Sequence, residues 1–361
     1  MAAFDVSKEW MILLMPESAE VKKAAEDLAR CIGFLSCSNK NFVRPLKIIE
    51  AKTSNTLKPP RPAILLSNEN GSSARNGFVW NADADFVEIR GESGRGLCNG
   101  IYSFLAALGF TWPEPGEENL PKPETIQANG TDQSKELPLT KDKDEFRHKD
   151  GFPASFRRFA GSRKIINNIL KNSEAFAAWA ARKRYDAIIF PLEIFSSAAV
   201  RNKIKQLGLF AAEYGISLEA GGWDLSAFVP RNNFLLHSDS FRMEEGKREK
   251  AHHFCPTNPL TIKIINKTGK KIFKRMEGIK VFHFWPDMGA ENVWCSCPTC
   301  RAFTPSEQNR MAVNAITDAL SSINPSASVT FFEKADDEGN IPLRKNLSRL
   351  ERLPEIKESF R

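Results

Sequence analysis

Nowhere does this chain reach the ~18 uninterrupted apolar residues that a membrane-spanning helix needs. Its N-terminal apolar run, Trp10 to Pro16, is too short and too acidic at its flanks for a signal peptide. Phosphate-cradling loops are missing too. Gly91, Gly94 and Gly96 stand between a strand and a helix, but their spacing is neither G-x-G-x-x-G nor a P-loop. They read as a tight strand-to-helix connection, and no nucleotide is implied. The formal charge of +7, from 51 basic and 44 acidic residues, is spread thinly, and its one cluster, Lys267–Arg275, reads as a solvated helix face. With no aromatic platform or groove-reading motif beside that cluster, nucleic acid is not an expected partner. Cysteine is scarce and odd in number, seven in all. Without an export signal this points to free thiols in a reducing compartment, and a cytoplasmic location is the expectation.

What is present is an α/β pattern in a chain of 361 residues, long enough for two domains. Residues 1–122 read as a small N-terminal α/β domain with strands WMILLMP, PAILLS and FVEIRG. Its first helix follows Ser18 and repeats Val21, Ala24, Ala25, Leu28 and Ile32 at helical spacing; a second runs from Leu97 to a stop at Gly109. Residues 123–150 are polar and aperiodic, the signature of a linker or exposed excursion. Over 151–361 strand and helix alternate, with strands SFRRFAG, YDAIIFPL, ISLEAGG, IKVFHFW and ASVTFFE. Repeated βα units imply a parallel sheet with right-handed crossovers, and a (β/α) TIM-type barrel is the expected architecture. Only 28 residues follow Glu333, whereas three further units need roughly 80–100. The barrel is therefore expected to be incomplete, with about five βα units and a place for a protein partner to complete it.

The densest signal is FHFWPDMGAENVWCSCPTCRAFTP, residues 282–305. A buried strand runs into a loop with Asp287 and Glu291, then into C-x-C-x-x-C, then into a helix start at Pro305. Acids at the exit of a buried strand are where α/β enzymes keep their chemistry. Other strand ends offer Glu193 and Asp224. Trp223 and Trp285 are candidate stacking surfaces for a sugar, weighed against packing. Arg158 is weighed between a substrate contact and a structural ion pair, and His283 reads as a satisfied core histidine. Cys295, Cys297 and Cys300 supply three thiols, and Cys255, His252 or His253 a fourth ligand, for tetrahedral zinc. A single C-x-C-x-x-C is a moderate signal, so no cofactor is expected and free or loosely paired thiols rank above structural zinc.

RGLCNGIYSFLAALGFTWPEPGEENLP (95–121), Gly221-Gly222, CPTNP (255–259) and the 287–308 motif ending T-P-S-x-Q together resemble a poorly characterised, glycoside-hydrolase-like family. That family is related to β-N-acetylhexosaminidases and α-glucuronidases, and the resemblance covers nearly the whole chain. It implies an α/β front domain, a barrel, and hydrolysis of O-glycosyl bonds in a glycan or oligosaccharide, with amino-sugar or uronic-acid glycans as the implied substrates. Such chemistry needs a proton-donating carboxyl and a second group that attacks, activates water or holds a substrate amide. Hexosaminidases place an adjacent Asp-Glu pair at the end of strand four. Here Asp287 is followed by Met288, and Glu291 comes four residues on. Related members carry histidine where Trp223 stands. The expectation is a glycosidase using Asp287 and Glu291; the alternative is a non-catalytic, carbohydrate-binding or assembly subunit.

Overall fold

The computed structural model describes residues 8–15, 18–36, 45–50, 61–68, 77–82, 85–121, 130–133, 158–160, 163–223, 225–287, 289–290, 292–333 and 340–350. The first part is built on β1 (Met11–Leu14), α1 (Ala19–Ser36), β2 (Lys47–Glu50), β3 (Ala63–Asn68), β4 (Phe78–Ala82), β5 (Phe86–Gly91), α2 (Gly94–Ala107) and β6 (Gly130–Gln133). The strands lie in the order β2-β1-β3-β5-β4-β6, with β4 antiparallel to both its neighbours. Helix α1 buries the stripe from Val21 to Ile32 that its periodicity predicts. The glycine segment before α2 is the expected tight connection. Ser93 caps the helix by accepting from the Gly96 N–H, and a Cβ at Gly91 would stand 2.2 Å from Leu97 N.

This sheet holds more strands than the sequence pattern suggests. Strands β2, β4 and β6 join the three expected ones, and β6 falls inside the polar stretch read as a linker. An edge strand needs only main-chain groups to pair, so the polar segment GTDQ can add to β4 without any hydrophobic pattern.

The second part contains β7 (Arg158–Ala160), α3 (Arg163–Ile169), α4 (Ser173–Arg182), β8 (Ala187–Phe190), α5 (Ala198–Glu213) and β9 (Ser217–Trp223). It continues with a short hairpin, β10 (Met243–Glu244) and β11 (Lys247–Arg248), then α6 (Pro259–Phe273), β12 (Val281–Trp285), α7 (Pro305–Ser321), β13 (Ser328–Phe332) and β14 (Leu347–Leu350). Six strands run β14-β13-β12-β9-β8-β7, every neighbouring pair parallel. The five expected strands are all present. A sixth strand, β14, whose sequence LSRL has no continuous apolar run, joins them at the edge beside β13. Among the described residues the sheet is open, with β7 and β14 at its edges. The fold is α/β with an incomplete (β/α) barrel sheet.

Alternation along these strands divides the sheet into two chemically different faces. Phe159, Phe190, Phe282, Phe284 and Phe331 belong to the main core beneath the helices. The opposite face carries Arg158, Glu219, His283 and Thr330, and nearer the C-terminal strand ends a separate cluster of Ala160, Ile189 and Trp285 with Trp223 and Phe332 against it.

The two parts are latched by buried polar contacts. Arg95 at the start of α2 donates to Asp186 Oδ1 at 3.0 Å and to the carbonyls of Tyr214 and Tyr185 at 3.1 and 2.8 Å. Arg182 grips Asp27 with two bonds of 3.0 and 3.1 Å. The W-P-E-P-G-E segment takes part: Trp112 donates to Glu118 and accepts, through its carbonyl, from the Trp179 indole.

Candidate functional site

Strand β12 forms from VFHFW between β9 and β13, as its apolar run predicts. The chain turns at Asp287, whose carbonyl accepts from the Ala290 N–H at 2.9 Å and closes the turn through the main chain. Its carboxylate accepts instead from the Ser226 N–H at 3.0 Å, in the loop after β9, and the residue is 7% exposed. The Asp287 N–H donates to His253 Nε2 at 2.9 Å. His253 Nδ1 stands 2.8 Å from the Val293 carbonyl, which can only accept, so Nδ1 bears the proton and Nε2 is the acceptor. Burial pushes His253 below its ordinary pKa, consistent with this neutral tautomer, and Trp294 stacks on the imidazole at 4.3 Å. Asp287 and His253 therefore knit three segments together at the C-terminal end of the sheet.

Beneath this end lies a polar chain across four strands. Arg158 Nε on β7 donates to Glu219 Oε2 on β9 at 2.8 Å, and His283 Nε2 on β12 reaches the same oxygen at 2.7 Å. His283 Nδ1 meets Thr330 Oγ1 on β13 at 2.6 Å, and the Trp285 indole donates to that hydroxyl at 3.2 Å. Burial works to raise the Glu219 carboxyl, but His283 and Arg158 outweigh it and hold the carboxyl below the usual glutamate range. Arg158 thus forms the buried ion pair weighed for it, and His283 is a satisfied inner-face histidine.

Trp285 is fully buried, in T-shaped contact with the half-buried Trp223 at 4.5 Å between ring centroids. An indole with no exposed face cannot itself stack on a sugar, which corrects the expectation for Trp285; of the two, only Trp223 keeps partial exposure. Glu193 is exposed in the 3-10 turn Leu192–Ser196 after β8. Asp224 and Glu291 lie outside the described residues. An open cavity of about 260 Å³, lined by Ile204, Gly208, Ile216, Leu218 and Ile279 among others, sits at the N-terminal strand ends, away from Asp287.

The four cysteines of the two motifs are free thiols, and they stand together. Sγ atoms of Cys255, Cys295, Cys297 and Cys300 all lie within 4.8 Å of one another, and all four residues are buried. Thr304 caps α7 in a reciprocal capping box with Glu307. One turn on, Gln308 accepts from the Cys295 N–H and donates to the Cys295 and Cys300 carbonyls at 3.1 and 3.2 Å. In CPTNP, Cys255 joins the cluster, Asn258 caps α6 and Pro259 begins it. Both sequence motifs are thus parts of one loop scaffold.

The chain is similar in fold to solved glycoside hydrolases. It aligns with the family 20 β-N-acetylhexosaminidase from Streptomyces coelicolor at TM-score 0.50 and 10% identity, over 96% of this chain and 66% of that one. It aligns with a family 138 enzyme targeting pectin rhamnogalacturonan II at TM-score 0.52 and 9% identity, over 94% of this chain and 38% of that one. The β-N-acetylhexosaminidase from Bacteroides fragilis gives TM-score 0.47 at 12% identity, over 95% and 66%. The chain therefore spans just under two thirds of the hexosaminidases' length. No protein-family profile and no curated protein matches it. At these identities the likeness is one of fold. No described helix is long and apolar enough to cross a membrane.

Sequence reasoning missed Glu219 and Arg95. A signal for the first was present: a lone acid at an inward position of ISLEAGG. Arg95 carried none, because its partners are 90 and more residues away.

Proposed function

We propose that this chain acts on a glycan as an O-glycosyl hydrolase, with the sugar held at the C-terminal ends of β9 and β12. The observation that carries the reading is the convergence there of a partly exposed indole, Trp223 backed by Trp285, with the Asp287 carboxylate, on a sheet of glycoside hydrolase type. This is the end of a parallel barrel sheet where chemistry is built. Asp287 is the first functional carboxylate, Glu291 the second from the same loop, and Asp224 and Glu193 are substrate contacts from neighbouring loops. Arg158, through Glu219, braces the floor. Amino-sugar and uronic-acid glycans are the substrate classes.

A second reading, a glycan-binding or assembly subunit without turnover, is favoured by one observation. The Asp287 carboxylate is buried and already engaged by the Ser226 N–H. A panel of aryl glycosides that includes N-acetylglucosaminide and glucuronide separates the two. Hydrolysis that falls at least about a hundredfold in Asp287→Asn supports the first. Absence of turnover, with glycan binding that Trp223→Ala abolishes, supports the second. Activity unchanged in Asp287→Asn removes that residue from the chemistry.

A further inference from the structure

We propose that Cys255, Cys295, Cys297 and Cys300 form a closed tetrathiolate site for one zinc ion, which fastens the excursion after β9 to the loop after β12. The inference stands on the cysteine geometry and is independent of any glycan activity.

The separations fit a metal and not a disulfide. Cys255 Sγ lies 3.8 Å from Cys297 Sγ and 3.6 Å from Cys300 Sγ. A tetrahedron with Zn–S bonds of about 2.3 Å has sulfur–sulfur edges of about 3.8 Å, whereas a disulfide requires about 2.05 Å. None of the six described cysteines is in a disulfide. Four ligands complete tetrahedral zinc and leave no position for water or substrate, which makes the site structural and not catalytic.

The chemistry of the cluster agrees with its geometry, since four buried thiols stand together with no disulfide among them. A divalent ion lets all four thiols ionise, with their protons released to solvent. The remaining negative charge has partners in place. The Met243 N–H lies 3.3 Å from Cys295 Sγ, the Arg248 guanidinium 3.9 Å from the same sulfur, and the Thr257 hydroxyl 3.1 Å from Cys300 Sγ. Such outer contacts orient metal-bound ligands.

The surroundings explain why a staple is needed. Between β9 and α6 the described chain holds three short 3-10 turns and a hairpin of two-residue strands. Little regular structure supports His253, two residues before Cys255, in its contact with Asp287. A metal binding both loops supplies folding energy that the local sequence does not.

The test uses the full chain, purified without a histidine tag from cells supplied with zinc. Elemental analysis is expected to return about one equivalent of zinc. Exchange for cobalt(II) should give intense thiolate-to-metal charge-transfer absorption and tetrahedral d–d bands. Thiol titration of the folded protein should count four fewer reactive groups than after chelation. Chelation should also expose residues 225–258 to limited proteolysis. Cys297→Ser should weaken metal affinity at least tenfold; if that variant does not fold, the cobalt spectrum and thiol count of the wild-type chain decide. Less than a tenth of an equivalent of zinc, iron in its place, or a disulfide among these four cysteines in the native protein would overturn the proposal.

Discussion

His283 Nε2 stands 2.7 Å from Glu219 Oε2, and Arg158 Nε reaches that same oxygen at 2.8 Å. One carboxylate oxygen thereby ties β7, β9 and β12 together on the face of the sheet away from the helices. Thr330 extends the chain to β13, so side chains of four strands share one polar network.

The charge of Glu219 sets a pH dependence. Its folded pKa lies below the ordinary 4.5, so its stabilising contribution is present above that value and is lost as pH falls through the folded value. Glu219→Gln should be less stable at pH 7, by roughly 3–5 kcal/mol as for a broken buried pair. Its melting temperature should also fall less steeply than the wild type's below pH 4.5. Superimposable melting curves for the two proteins across pH 3–7 would refute this.

Arg95 is the latch between the two sheets. Arg95→Ala leaves Asp186, only 2% exposed, without its guanidinium, and strips two carbonyls of a donor. The expected loss is about 3–5 kcal/mol, accompanied by separation of one calorimetric transition into two. A single transition at the wild-type temperature would show that packing alone couples the parts.

Gly221 and Gly222 can be ranked. Both have positive φ, +121° and +119°, where side chains are strained. A Cβ at Gly221 would also stand 2.0 Å from the His283 carbonyl oxygen, while one at Gly222 meets nothing within 4 Å. Gly222→Ala should therefore cost about 1–3 kcal/mol, and Gly221→Ala roughly 3 kcal/mol or more. Chemical denaturation gives both values, and the reverse order would contradict the geometry.

Thr304 caps α7 beside the cysteine loop. Thr304→Ala should lower stability by about 1 kcal/mol. If Gln308 positions Cys295 and Cys300 through this helix start, it should also loosen the loop, read as faster amide exchange at residues 293–303. Exchange unchanged from wild type would confine the cap to helix stability.

Much of this was legible in the chain itself. The apolar run of β12, the helical stripe of α1 and the T-P-S-x-Q helix start are local patterns, and local patterns survive into structure because alternation and capping act over a few residues. Strands β6 and β14 were not legible. Their pairing uses main-chain groups at sheet edges, so their side chains need not be apolar. Asp287 was legible as a residue of interest, but its partner Ser226 was not, since a hydrogen bond between two loops leaves no periodic trace.

The sequence by itself determined the α/β class and the alternation of the main strands and helices along the second part, through periodicities of two and 3.6 residues and cap residues at fixed offsets. Only the tertiary structure decided which far-apart residues meet. Cys255 lies 40 or more positions before its three companions, and Glu219 is 61 and 64 positions from Arg158 and His283. Those encounters follow from strand register and loop path, which sum many weak contacts along the chain and are written in no single segment of it.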